Sequence, residues 1–205
     1  MNTRKFVKAA LLVAVCLLLG LTPIGFIPIP PIEITLLCIP VIIGVITEGL
    51  GIGLIPGFFF GLTSFLQIFI KPTPLSQFLF ALSPLKTVIL VFVPRMFVPI
   101  IAWLVHKAIS GNSRARRNAA VGIGAFAGSI TNTVLFLSVL YLLFLPEIGA
   151  LSEAFETTPE MLGSVFAGIG AVNGLPEAAV AVLLCMPIVA ALHKLKQRQK
   201  AVSNN

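Results

Sequence analysis

Residues 88–105 read VILVFVPRMFVPIIAWLV. The run is long and apolar enough to cross a bilayer as a helix. One charge, Arg95, interrupts it near the middle. An arginine at that depth costs roughly 2.5–3.5 kcal/mol on insertion scales, so it is expected to face the protein interior and to have a partner or a task. Pro94 and Pro99 flank it. Each removes a backbone donor and is expected to bend or loosen the helix beside the charge. The stretch sets both the class of fold and the functional question, which is what anionic group Arg95 meets.

The rest of the chain follows the same plan. Of its 205 residues, 58% are hydrophobic and 10% charged, against roughly 25% charged in a soluble globular chain. Mean hydropathy is +1.06. The expected fold is an all-α integral membrane protein. The length allows six transmembrane helices joined by short loops, in a single membrane domain over residues 1–205.

Six apolar spans can be read: 6–21, 33–46, 53–70, 85–106, 118–145 and 161–195. The first follows Arg4, Lys5 and Lys8 as a signal peptide would, but Thr22-Pro23 stands in place of a small-x-small cleavage site. It is expected to be retained. Residues 22–32, TPIGFIPIPPI, are held extended by their prolines. This apolar, stiff segment suits a lid over a pocket or a re-entrant connector. Residues 47–53, TEGLGIG, form a tight glycine-rich turn. No strand precedes it, so its glycine spacing is no nucleotide fingerprint. The sixth span is too long for one crossing and is expected to be broken near Asn173–Pro176, its first part dipping in from the surface. Cys16, Cys38 and Cys185 lie in apolar segments without metal or disulfide spacing and are expected to be small packing residues.

The net charge of +7 would suit a nucleic-acid binder, but its placement argues otherwise. Arg4, Lys5 and Lys8 stand at the start of span 1; Lys107, Arg114, Arg116 and Arg117 follow span 4; Lys194, Lys196, Arg198 and Lys200 close the chain. Six spans put these three groups on one side of the lipid bilayer, which the positive-inside rule makes cytoplasmic. Both termini are then cytoplasmic. The opposite face receives the proline-rich loop, the 71–84 loop and the acidic 146–160 loop. Arg95 lies roughly 14 Å below that outer face at 1.5 Å per residue.

Few other polar side chains are placed at depth. Thr131 and Asn132 lie in GSITNT at 128–133, and Asn132 offers both donors and acceptors. They serve either as interhelical glue or as ligand contacts. Asn173 and Glu177 belong to the interruption in the sixth span, and broken helices at membrane depth line protein or a cavity. Glu177 is also the alternative, fixed partner for Arg95. Gln67 is a further binding candidate near the outer rim.

Signatures of catalysis are lacking. The chain has no GxxxxGK[ST], no HExxH and no Cys/His cluster. His106 and His193 stand beside lysines at span ends, as interface residues do. The expectation is a solute-binding or transport protein that is not an enzyme, with no cofactor and no metal.

Taken together, the length, the six spans and the small-xxx-small pair Ala10 and Ala14 in span 1 resemble the substrate-binding S components of energy-coupling factor (ECF) vitamin transporters. The segments IGFIPIP at 24–30, IPVIIGVITEGLGIGLIPGFFFGLTS at 39–64, FVPRMFVP at 92–99 and SITNTVLFL at 129–137 are similar to the pantothenate-specific members. Glu48-Gly49-Leu50 departs from the Gly-Pro-like turn expected there. The resemblance implies capture of a vitamin, pantothenate, from outside. It implies docking through Ala10 and Ala14 onto a transmembrane coupling protein that works with two ATPases, then toppling in the membrane to release the vitamin inside. The candidate substrate-binding residues remain Arg95, Asn132, Thr131, Asn173, Glu177 and Gln67. An S component for another vitamin or precursor, and a stand-alone permease, remain the alternative readings.

Overall fold

A computed structural model describes residues 3–29 and 32–203. Helix α1 covers Thr3–Leu21, and a short 3-10 turn at Pro23–Gly25 leads into strands β1, Phe26–Ile29, and β2, Ile32–Thr35. The strands pair antiparallel, Phe26 opposite Thr35 and Ile29 opposite Ile32. Pro30 and Pro31, part of the expected lid, lie outside the described residues. Helices α2, Cys38–Glu48, and α3, Leu50–Ile70, follow. Then come α4, Pro74–Leu82; α5, Pro84–Ile109; α6, Arg114–Leu143; and α7, Ile148–Ala154. The chain closes with α8, Leu162–Ile169, a π-helical turn at Gly170–Gly174, and α9, Leu175–Ser203.

Among the described residues, four helical stretches are long and apolar enough to cross a membrane: Leu50–Ile70, Pro84–Ile109, Arg114–Leu143 and Leu162–Arg198. The protein is a multi-pass, helical membrane protein. The second expected span differs from its reading. Its first residues, EIT at 33–35, belong to β2, and α2 has only 11 residues, about 16 Å of helix against a hydrocarbon core of about 30 Å. Between Gly20 and Glu48 the chain returns through the hairpin and then α2. The helix is apolar around its whole circumference, and such helices are buried. It packs on α1, α3, α5, α6 and α9, and Val41, Ile42 and Val45 at its centre are almost fully shielded.

The sixth span also differs in detail. No chain reversal occurs near Pro176. A π-helical turn just before the proline absorbs its missing N–H and lets one helical stretch continue from Leu162 to Arg198.

Two ends can be distinguished. At one, Glu48 at the close of α2 meets Lys8 of α1 at 3.0 Å and Lys196 of α9 at 2.7 Å. Lys196 also donates to the Thr47 carbonyl at 2.8 Å. At the other, Lys86 at the start of α5 pairs with Glu147 at 2.8 Å, and Gln67 of α3 donates to the carbonyl of Gly20 in α1. The turn from α2 to α3 needs Gly49, whose φ of +89° lies in the left-handed region. The two loops at the far end carry their own helices: α4 is closed by a capping box between Thr73 and Ser76, and α7 lies within the acidic segment.

Candidate functional site

The two prolines of α5 shape the surroundings of Arg95. Pro94 cannot donate to the carbonyl of Leu90, four residues earlier. The guanidinium takes up that carbonyl instead, Arg95 Nη1 donating to Leu90 O at 3.3 Å. Pro99 likewise releases the Arg95 carbonyl, which faces Gly57 of α3. Small residues let α3 approach at this level: a Cβ on Gly61 would stand 2.8 Å from the Phe92 ring. The close approach brings Phe60 to the guanidinium, its ring centroid 5.5 Å from Cζ, and Phe136 of α6 adds a second ring at 5.0 Å. Such stacking supplies about 0.5–2 kcal/mol, which offsets only part of the cost of burying the charge.

Arg95 Nε is buried and has no hydrogen-bond partner. Among the described residues Arg95 makes no ion pair. A cavity of about 380 Å³ reaches it from the end opposite the Glu48 cluster. Gln67 of α3, Ser76 of α4 and Thr87 of α5 line its upper part, and Arg95 with Phe136 its floor. That volume is in the range of small-ligand pockets, roughly 300–1,000 Å³.

Beside this floor stands a second polar group. Glu177 of α9 is 6% exposed and accepts a hydrogen bond from the thiol of Cys38 at 3.1 Å. The Thr35 backbone and the Asn132 amide approach the same carboxylate. Asn132 is 5% exposed, and its Oδ1 has no partner. One turn earlier on α6, the buried hydroxyl of Ser129 is also without a partner. Glu177 and Arg95 are close enough to interact electrostatically, yet the carboxylate is held by Cys38.

The structure therefore brings Arg95, Asn132 and Glu177 together, with Gln67 at the rim of the same cavity. Thr131 turns back onto its own helix, its hydroxyl donating to Ala127 O at 2.7 Å. Asn173 is half-buried within the π turn. Cys38 corrects one reading: it is a hydrogen-bond donor to a buried carboxylate as well as a packing residue. Sequence reasoning also missed Phe60 and Phe136, because an aromatic in an apolar span carries no mark that separates a stacking platform from core. The proline-created acceptor at Leu90 was the one available signal. Ala10 and Ala14 are both exposed on α1.

A stacked, unpaired guanidinium under a cavity sunk into a bundle of membrane helices defines a solute-binding membrane protein. The family model for "ECF transporter, substrate-specific component" matches residues 4–189, and the chain belongs to that family. It is thus the substrate-binding subunit of an ECF transporter, works with an energy-coupling module, and is not an enzyme. The chain is also 36% identical over 177 residues to the "Pantothenic acid transporter PanT" of Lactococcus lactis subsp. cremoris (strain MG1363), a match covering 81% of each chain.

Proposed function

We propose that this S component captures pantothenate in the cavity above Arg95. The observation that carries the reading is the buried guanidinium: it has two aromatic neighbours and a carbonyl, and among the described residues it forms no ion pair, Glu177 acting on it only from a distance. A ligand carboxylate supplies the missing charge through paired hydrogen bonds. The likeness to a pantothenic acid transporter supports pantothenate as the source of that carboxylate. Asn132, with its free Oδ1, and Glu177 accept from the hydroxyl and amide groups of the same ligand. Gln67 contributes at the rim. Thr131 and Asn173 act at the edge of the site, Asn173 through backbone freed by the π turn.

The basic end, with both termini, faces the cytoplasm, so the cavity opens outward. The residues form one membrane domain. Ala10 and Ala14 dock on a transmembrane coupling protein that carries two ATPases, and the exposed α1 face, with Val7, Leu11 and Leu18 beside them, is available for it. A binding panel on the purified chain tests the substrate. Pantothenate is expected to bind at least about a hundredfold tighter than riboflavin, biotin or thiamine, near 3 kcal/mol in preference. Tighter binding of another vitamin would transfer the site to that ligand. Replacing Ala10 and Ala14 together by Trp is expected to leave pantothenate affinity unchanged and to prevent co-purification with the energy-coupling module. Intact assembly in that double variant would remove the docking role.

A further inference from the structure

At the basic end a second cavity, of about 550 Å³, opens between the first turns of α6 and the last turns of α9. We infer that it seats the headgroup of an anionic phospholipid of the adjoining leaflet. On α6, Arg114, Arg117, Asn118 and Val121 recur at helical spacing and line one wall. On α9 the facing stripe carries His193, Lys194 and Lys196 above Met186 and Ala190. Four cations and a histidine thus converge from two helices, and no acidic residue lines the space. Glu48, the carboxylate that Lys196 reaches, is also held by Lys8. Among the described residues, Arg114 and Lys194 have no ion pair.

A solvated topology signal would point its charges into water from a loop. Here the basic side chains surround a cavity whose floor is apolar: Val121 and Val189 are 4% and 1% exposed. The floor is closed where α6 and α9 touch, with Gly122 against Met186 and Val182. Above that contact the helices separate. A phosphate at the rim and glycerol and acyl carbons over Met186 and Ala190 match this order of surfaces. Basic pockets between membrane helices take anionic headgroups, and each basic residue near such a headgroup contributes about fivefold in affinity. A free phosphate would use the rim but leave the apolar floor unfilled.

Native mass spectrometry of the delipidated full chain, titrated with phosphatidylglycerol and with phosphatidylcholine, tests the site. One phosphatidylglycerol is expected to be retained in preference to phosphatidylcholine by about tenfold or more. The Arg114→Gln/Arg117→Gln/Lys194→Gln variant is expected to lose roughly a hundredfold in that affinity. Arg116→Gln/Arg198→Gln removes charge from the same end without touching the cavity lining and is expected to retain the lipid. Ala190→Phe fills the cavity without changing charge or topology, and so covers the event that the triple variant does not fold; it is expected to lose the lipid. Equal retention of the two lipids, equal loss in the Arg116/Arg198 control, or unchanged binding in Ala190→Phe would overturn the inference. Displacement of the lipid by millimolar inorganic phosphate would assign the site to free phosphate instead.

Discussion

Glu48 and Arg95 are both charges withdrawn from water, and the fold treats them in opposite ways. The Glu48 side chain is 11% exposed and receives two lysines, at 3.0 and 2.7 Å, drawn from the first and last helices. Arg95 receives two aromatic faces and one carbonyl, and its Nε is left without a partner. A charge that serves the fold is neutralised by the fold. A charge that is to meet a ligand would be held in shape and left short of its counter-ion, as Arg95 is among the described residues, because a pre-formed ion pair would have to be broken before anything else could bind. Glu177 shows how that is arranged. It is near enough to attract Arg95, yet the Cys38 thiol holds it.

The largest effect expected from this contrast is on ligand affinity. Arg95→Met, which keeps volume and removes charge, is expected to weaken pantothenate binding by about a hundredfold or more, as loss of one member of a desolvated charge pair does. The same variant is expected to match or exceed the ligand-free wild type in thermal stability, because the charge it removes is unpaired. A clear fall in the unfolding temperature in detergent would mean that Arg95 holds the fold, and the contrast would fail. Glu48→Gln is the mirror experiment. Stability is expected to drop by about 1–2 kcal/mol, between the values of exposed and buried pairs, while pantothenate affinity stays within about twofold. Binding loss without a stability change would reverse the assignment. The smallest effect belongs to Phe136→Leu. It removes one face of the stack and is expected to weaken binding by about two- to tenfold, matching about 0.5–1.4 kcal/mol, as read by isothermal calorimetry.

Much of this candidate site was legible because polar groups are rare in an apolar chain. Arg95, Asn132 and Glu177 each stand out on cost alone, and the structure gathers all three. The apolar partners were not legible. Phe60 and Phe136 resemble any buried aromatic until the fold places them against the guanidinium. Cys38 read as a small hydrophobe because a thiol declares itself a donor only when a carboxylate is near. The second span was misplaced for a related reason: IEIT followed by a run of Ile and Val fits a strand or a buried helix equally well, and periodicity cannot separate them. Pro176 signalled a true interruption, but a proline does not say whether the helix ends or takes up an extra residue in a π turn. The gathering of basic segments was readable from counting. The cavity they enclose depends on where Gly122 lets α6 and α9 touch and where they then part.

The central claim is that the Arg95 guanidinium meets the carboxylate of the captured ligand. Its most direct test is a thermodynamic cycle: wild type and Arg95→Met, each titrated with pantothenate and with the analogue whose carboxylate is replaced by a primary alcohol. The account predicts that the wild type prefers the carboxylate by about a hundredfold, and that Arg95→Met binds the two ligands with equal affinity. A preference for the carboxylate that survives unchanged in Arg95→Met would contradict it.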